Sequence, residues 1–200
     1  MSKIVVPGET LSDTPKPIAY GFTEGGKTYS SITGVFDEKN FRLIPIEGVY
    51  IPVVGDYVVG VVTDVKYAGY NVDIHSAYGA FLSNKETRDL FELGDLIVAK
   101  IKGVDEVKNV DLTDARKLKD GKVVNVVPSR VPRLIGKKSS MVNLVKDGTG
   151  TEIVIGKNGR IWLKGGNIGL ATSAVEKIDD EAYTSGLTDR MAKYIGDNKQ

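Results

Sequence analysis

The chain has 200 residues and a formal net charge of +1, with 41% hydrophobic and 26% charged residues. These values are ordinary for a folded globular protein of one to three compact domains, so any binding of nucleic acid would depend on local basic patches. Cysteine is absent and histidine occurs once, which excludes a disulfide framework, a thiolate zinc site, a cysteine nucleophile and a histidine-rich metal site.

The sequence carries no signal of a membrane protein. No apolar run approaches the roughly 20 residues that cross a bilayer, and Pro7 interrupts the N-terminal apolar residues too early for a signal peptide. We expect a cytoplasmic protein without a membrane partner, and nothing in the sequence requires a cofactor.

Residues 1–53 predict a small all-β domain built from hairpins. Turns are predicted at Gly25-Gly26 and at residues 37–40, because each separates two short runs rich in β-branched and aromatic residues. The prolines before residue 18 predict an extended lead-in to the first hairpin. A unit of this size buries little core alone and is expected to pack on the barrel or on a partner.

Residues 54–118 predict a five-stranded barrel. A strand begins after Gly55-Asp56, and a near copy of that sequence follows Gly94-Asp95. Between them, residues 70–75 alternate strictly, which predicts a half-buried strand. Its inward residues are Tyr70, Val72 and Ile74, and its outward residues are Asn71, Asp73 and His75.

The remaining elements of this segment complete the barrel pattern. They are a strand at 79–83, a short helix within 86–93 and a last strand at 107–112. Five short strands with one helical insert are typical of an oligonucleotide-binding (OB) barrel. The pattern, with its Gly-Asp-x-Val-x-Gly-x-Val opening, resembles an S1 RNA-binding domain.

Residues 119–200 predict a type I KH domain. A charged connector at 114–121 is predicted to join it to the barrel. Ser129 is the predicted N-cap of the first helix, and Asn167 that of the third. The order β-α-α-β-β-α is that of a type I KH domain, so the fold class is mixed all-β and α+β. The predicted elements are a strand at 122–127, helices at 130–135 and 140–146, strands at 151–155 and 160–163, a third helix from 167 to about 177 and a tail helix at 187–195.

The chain resembles one family over nearly its whole length, and two further segments carry this resemblance. Val6-Pro7-Gly8-Glu9 near the start and Tyr50-Ile51-Pro52-Val53-Val54-Gly55-Asp56 before the barrel are similar to segments of the S1/KH cap subunits of the archaeal RNA exosome. The resemblance implies a non-catalytic RNA-binding subunit that forms a trimeric cap on a hexameric ring of RNase PH-like subunits. Such a cap captures single-stranded RNA and guides it to the ring, and the N-terminal domain supplies much of the docking surface.

The first candidate RNA site is the loop Gly136-Lys137-Lys138-Ser139, which occupies the place of the KH Gly-x-x-Gly loop. In that loop, the backbone approaches the sugar-phosphate chain and the next helix N-terminus favours phosphate. Arg133, Gly136, Lys137 and Lys138 are the candidate contacts. Ser139 replaces the second glycine, and its Cβ is expected to hinder close approach. The alternative is a helix corner with solvated lysines.

A second Gly-x-x-Gly sequence at residues 156–159 lies between two predicted strands. Asn158-Gly159 is a strong hairpin signal, and the sequence resembles the Gly-x-Asn-Gly signature of exosome cap subunits, where it has a structural role. Trp162 follows on a strand and is predicted to be buried rather than to stack on a base.

The second candidate site is the outer face of strands two and three of the barrel, where S1-type domains bind RNA with aromatic and basic side chains. Tyr70 is disfavoured because it points inward, and Asp73 beside His75 would repel phosphate. The alternative for His75 is an ordinary surface or hydrogen-bonded residue, and the alternative for Lys100 and Lys102 is solvation. The candidates are Lys66, Tyr67, His75, Tyr78, Phe81, Lys100 and Lys102.

No arrangement of residues supports catalysis. The acidic groups at Asp111 with Asp114 and at residues 179–181 have no second cluster with metal-ligand spacing and no acid/base partner, and no Walker loop or nucleophile elbow occurs. We therefore predict that the chain is not an enzyme. Two alternatives are an S1/KH transcription or translation factor, disfavoured because only one KH domain fits after Lys122, and a hydrolytic nuclease.

Overall fold

The computed structural model describes residues 2–18, 20–46, 48–184 and 186–198. Two parts of the chain, Met1–Gly48 and Val49–Gln200, each form a compact unit. None of the described helices is long and apolar enough to cross a membrane.

The first unit consists of two three-stranded antiparallel sheets, with strand orders β1-β5-β6 and β2-β4-β3. Its strands are β1 (Ser2–Val5), β2 (Thr10–Ser12), β3 (Gly21–Glu24), β4 (Lys27–Ser30), β5 (Gly34–Asp37) and β6 (Arg42–Pro45). Both predicted hairpins are confirmed, as β3–β4 and β5–β6. The predicted extended lead-in is wrong, because β1 pairs with β5 and β2 pairs with β4. The prolines lie between and after these strands, where no ladder hydrogen bond is needed.

The core of the first unit is small. Its buried residues are Val5, Leu11, Phe36 and Leu43, and the ring of Phe36 meets that of Phe41 edge to face with centroids 5.4 Å apart. Ile4 and Val6, on either side of Val5, are 68% and 53% exposed.

The second unit begins with a closed five-stranded barrel, as predicted. Its strands are β7 (Tyr57–Lys66), β8 (Gly69–Asp73), β9 (Ala80–Ser83), β10 (Leu96–Val104) and β11 (Val110–Lys117). The order is β10-β11-β9-β8-β7, and the barrel closes because β7 also pairs with β10. The alternation predicted for β8 is confirmed, since Tyr70, Val72 and Ile74 are buried in the barrel core. Tyr70 packs edge to face on Phe91 at 5.2 Å.

Strand β8 is shorter than predicted, because it ends at Asp73 rather than at His75. The Asp73 side chain accepts a hydrogen bond from the backbone N–H of His75 at 2.9 Å, and His75 has a positive φ of 55°. This turn, made by the side chain of an aspartate two residues earlier, competes with strand geometry.

Two other predictions for the barrel segment are wrong. Within 86–93, helical geometry is confined to a 3-10 turn at Asn84–Glu86, because local side-chain bonds such as Glu92 N–H to Asp95 Oδ2 at 2.8 Å replace helical ones. The last strand begins at Val110 and continues to Lys117, through residues that we predicted as a connector. Ala115 is buried there, so the first half of the predicted connector is part of the barrel wall.

The chain then forms the predicted KH domain. Its elements are β12 (Lys122–Asn125), α1 (Val131–Ile135), α2 (Ser140–Thr149), β13 (Glu152–Ile155), β14 (Arg160–Lys164), α3 (Ile168–Asp180) and the tail helix α4 (Leu187–Asp197). The sheet is antiparallel with order β12-β14-β13. Apolar residues of this sheet and of all four helices share one core.

The two predicted helix caps have different outcomes. Asn167 caps α3, since its side chain accepts a hydrogen bond from Leu170 N at 2.9 Å. Ser129 does not cap α1: it lies inside a 3-10 turn at Pro128–Arg130, and its Oγ is buried without a hydrogen-bond partner among the described residues. Pro128 begins that turn two residues before the predicted first helical residue, Arg130, and Val127 takes the cap position.

Trp162 is buried, as predicted, with 3% of its surface exposed. Its ring lies against Gly121, where a Cβ would come within 2.1 Å of the indole nitrogen. Only glycine at this position therefore allows the backbone between β11 and β12 to lie this close to the Trp162 ring.

Candidate nucleic-acid interface

The loop between α1 and α2 brings several predicted site residues together. Gly136 ends α1 with φ 74°, and a Cβ there would lie 2.7 Å from the backbone nitrogen of Met141. Lys137 and Lys138 are exposed, as is Arg133 on the preceding helix. Arg133, Gly136 and Lys137 line a cleft of about 370 Å³ whose other wall is the N-terminal end of α4 at residues 186–189. Lys138 is outside that lining.

The missing second glycine has a direct conformational consequence. Lys138 and Ser139 have φ values of 54° and 62°, in the left-handed region. Such a conformation costs a non-glycine residue roughly 1–2 kcal/mol. The loop thus places Ser139 in a backbone conformation that glycine would adopt without strain.

A second cleft, of about 720 Å³, lies on the outer face of the barrel. Tyr78 and Phe81 line it and can offer aromatic surface to a base. Its other polar side chains include Asp73, Asp105 and Asp111, and none of its lining residues is basic. The cleft therefore suits bases and sugars better than phosphates, and the sequence gives no sign of this because these acidic residues come together only in the fold.

The basic barrel residues predicted to share this cleft lie outside it. Lys66 and Tyr67 are at the tip of the β7–β8 hairpin, where Tyr67 is fully exposed and its carbonyl accepts from Asn84 Nδ2 at 2.8 Å. Lys66 is 3.8 Å from Asp64. His75 is exposed on the loop after β8 but is not among the residues that line the cleft.

Lys100 and Lys102 both face outward on β10, yet neither lines the cleft. The Lys100 ammonium lies 6.0 Å from the centre of the Tyr57 ring. Lys102 forms an ion pair with Glu86. Hydrogen bonds from Lys102 and Thr113 lower the pKa of Glu86, so this pair stays charged at neutral pH. Lys102 is therefore engaged, whereas Lys100 remains near an aromatic face.

The hairpin of residues 156–159 is confirmed between β13 and β14, and it also joins the KH domain to the barrel. Asn158 is fully buried and bonds to both the N–H and the carbonyl of Val59 on β7, at 3.2 and 2.7 Å. A Cβ on Gly156 would lie 2.7 Å from Val59 N, so glycine permits this approach. The Asn-Gly signal predicts the turn, but it gives no indication that the amide reaches another domain.

Arg160, the first residue of β14, was not predicted as a functional residue. It bonds to Asp73 twice, to the carbonyl oxygen at 2.7 Å and to Oδ2 at 2.6 Å. Burial acts to raise the pKa of the Asp73 carboxyl, but the hydrogen bonds from Arg160 and His75 N–H outweigh it and hold the pKa below its ordinary value. The aspartate that we expected to repel phosphate is therefore partly neutralised.

Groups of acidic residues do not form a metal site in the described parts of the chain, where no cluster of three or more potential ligands occurs. Asp179, from one of the two acidic groups considered above, instead accepts from Val127 N at 3.2 Å and contacts Arg130. Burial raises the pKa of Asp179 above its ordinary value.

Comparison with known proteins agrees with this architecture. A family model described as the exosome RNA binding protein RRP4 N-terminal domain matches residues 2–47, and a KH domain model matches residues 121–169. A solved crystal structure, of a protein provisionally described as an exosome complex RNA-binding protein, is 35% identical and superposes with a TM-score of 0.68 over 75% of this chain and 97% of that chain.

Curated relatives match almost the full length. The exosome complex component Rrp4 of Pyrococcus abyssi is 42% identical over an alignment of 213 positions, which covers 94% of this chain and 80% of the relative. The protein of the same name from Methanothermus fervidus is 43% identical over an alignment of 209 positions, which covers 96% of this chain and 94% of the relative. With the two domain matches, these identities show that the chain belongs to the Rrp4 family of exosome complex components.

Proposed function

We propose that the chain is a non-catalytic RNA-binding cap subunit of an exosome. The observation that carries this proposal is the exposed cationic loop at residues 136–139, which lies beside a cleft on the KH domain of an Rrp4 family member. Basic side chains and free backbone at a helix N-terminus are the groups with which KH domains hold a phosphate chain.

The two clefts would divide the work of holding one strand. Arg133, Gly136, Lys137 and Lys138 would hold phosphates at the KH loop. Tyr78 and Phe81 would stack on bases in the barrel cleft, whose acidic lining disfavours phosphate. The more peripheral candidates would add contacts at the rim, and they are Lys66, Tyr67, His75, Lys100 and Lys102.

The proposal assigns one role to each of three segments. Residues 1–53 would serve docking, residues 54–118 would make the S1 contacts and residues 119–200 would make the KH contacts. Three copies would form a cap on a ring of RNase PH-like subunits, in the cytoplasm, and would feed the 3′ end of the RNA into that ring. The small core of the first unit and its exposed Ile4 and Val6 support a docking role.

Co-assembly tests the assignment to the exosome. The full chain is mixed with purified RNase PH-like ring subunits from the same source, and the complex is measured by native mass spectrometry. We expect three chains for each hexameric ring, and faster degradation of long single-stranded RNA by the ring when the chain is present. A chain that never associates with the ring would contradict the cap function and leave the fold unaffected.

Incubation without the ring tests the non-catalytic assignment. The isolated chain is incubated with end-labelled single-stranded RNA, inorganic phosphate and Mg²⁺. We expect binding without shortening of the RNA. Degradation that co-purifies with the chain and persists across independent preparations would contradict the proposal.

A further inference from the structure

The hairpin between β13 and β14 contacts the barrel beside the barrel cleft lined by Tyr78 and Phe81, here called the S1 cleft. Asn158 Nδ2 donates to the carbonyl of Ile74 at 2.8 Å, and Arg160 donates to the carbonyl of Asp73 at 2.7 Å. Two consecutive carbonyl groups at the end of β8 are thus held by side chains of the KH domain.

Asp73 also directly precedes the loop at residues 74–79, here called the cleft loop. One carboxylate oxygen accepts from Arg160, and the other accepts from His75 N–H at 2.9 Å. Farther along, Ser76 Oγ donates to the carbonyl of Tyr50 at 3.1 Å and accepts from Tyr78 N at 3.3 Å. These bonds fix the path that presents Tyr78 to the S1 cleft.

Asp73 lines the S1 cleft as well as contacting the KH domain. Without Arg160, its carboxylate would be an unpaired negative charge on a surface proposed to bind a polyanion. Its carboxylate would also be held only by the His75 N–H, so the start of the cleft loop would lose an anchor. Both effects act on the S1 cleft, although Arg160 belongs to the other domain.

We propose that Arg160 is a positioning residue for RNA binding by the S1 cleft, acting through Asp73 on the cleft loop and Tyr78. This inference rests on the proposed RNA-binding function. A direct phosphate contact is a poorer account of Arg160, because its side chain is only 13% exposed and two of its nitrogens already bond to Asp73.

The test is a double-mutant cycle in the full chain, read by fluorescence anisotropy with a labelled single-stranded oligoribonucleotide of mixed sequence. Arg160→Met should weaken binding about fivefold, and Arg160→Lys should restore part of the loss. In a Tyr78→Ala background, Arg160→Met should weaken binding by only about twofold, because the side chain that it positions is already gone and only the uncompensated charge of Asp73 remains. The slope of log Kd against log salt should change by clearly less than the roughly 0.7 that loss of a direct phosphate contact would produce.

Lys164→Met is the matched control, since it removes a positive charge from the same strand, where Lys164 lies 3.8 Å from Asp120 and outside both clefts. It should leave binding within about twofold of the wild type. If Arg160→Met fails to fold, the same cycle is run with Arg160→Gln, which also removes the guanidinium charge from Asp73 but keeps a polar side chain at the domain junction.

The outcomes separate this inference from the proposed function. A wild-type chain that binds no RNA contradicts the proposed function itself. Where the wild type binds, the inference is overturned by an unchanged affinity of Arg160→Met, by losses that add fully with Tyr78→Ala, or by a Tyr78→Ala variant that binds like the wild type.

Discussion

Asn158 and Ile74 are joined across the junction of the KH domain and the barrel by a 2.8 Å hydrogen bond from the side-chain amide to the carbonyl oxygen. The same amide satisfies both backbone polar groups of Val59. A buried amide that satisfies three backbone groups of another domain is a strong restraint, because each group left unpaired costs about 1–3 kcal/mol.

We therefore expect Asn158→Ala to lower the free energy of unfolding by about 3 kcal/mol. The measurement is urea denaturation followed by circular dichroism and by Trp162 fluorescence. Asn158→Asp should be nearly as damaging at neutral pH, because a carboxylate cannot donate to the carbonyls of Val59 and Ile74.

The matched control is Asn198→Ala, which removes a side-chain amide that donates to the carbonyl of Tyr194 at the exposed end of α4. Its cost should stay below about 0.5 kcal/mol. Equal losses for the two alanine variants would contradict the role given to Asn158.

Ser139→Gly should stabilise the KH loop. Left-handed geometry costs serine roughly 1–2 kcal/mol, and the added freedom of glycine in the unfolded chain offsets part of the gain. We expect a net increase of about 0.5–1 kcal/mol in the free energy of unfolding, with tighter RNA binding because the Cβ no longer hinders a phosphate. Ser140→Gly is the contrast: Ser140 has an ordinary helical φ of −61°, so the same change there should destabilise.

Local pattern predicted the elements of this fold better than it predicted the site. The alternation from Tyr70 to Ile74, the cap at Asn167 and the Asn158-Gly159 turn all depend on residues close in sequence, and the structure confirms them. The contacts of Asn158 with Val59 and of Arg160 with Asp73 span most of the second unit, and no local signal marks them.

The wrong predictions have the same origin. The basic stretch before residue 118 looked like a connector because its charges dominate the pattern, yet the buried Ala115 makes it barrel wall. Lys102 stays a predicted RNA contact, but Glu86 lies against it from a neighbouring segment, which the sequence pattern does not show. Which charges remain free for a ligand depends on tertiary pairing, and that is absent from the linear pattern.

Replacing Lys137 and Lys138 together by alanine should weaken RNA binding and flatten its salt dependence. Each phosphate contact with a single strand contributes about 0.7 to the slope of log Kd against log salt, so the slope should fall by about 1.4 if both lysines contact phosphate. The measurement is anisotropy titration with an oligoribonucleotide at several salt concentrations. Lys39 and Lys193, two exposed lysines outside the KH loop, give a control double variant with the same net charge. An unchanged slope would remove the KH loop from the site.

The ion pair between Asp73 and Arg160 should make stability depend on pH in a definite direction. The folded-state pKa of Asp73 is lower than its ordinary value of 3.8. Its contribution to stability is therefore fully present above pH 3.8 and is lost as the pH falls below that value toward the folded-state pKa. The difference in unfolding free energy between wild type and Asp73→Asn should be constant near neutral pH and should shrink in that acid range.

Asp179 provides a control of opposite sign. Burial raises its folded-state pKa above 3.8, so its ionised form destabilises the fold and the wild type should gain stability relative to Asp179→Asn as the pH falls through the range just above 3.8. Urea denaturation of the wild type and the two variants, from neutral pH to below pH 3.8, measures both differences. A difference for Asp73→Asn that grows as the pH falls below 3.8 would contradict the lowered pKa of Asp73 and the role given to its ion pair with Arg160.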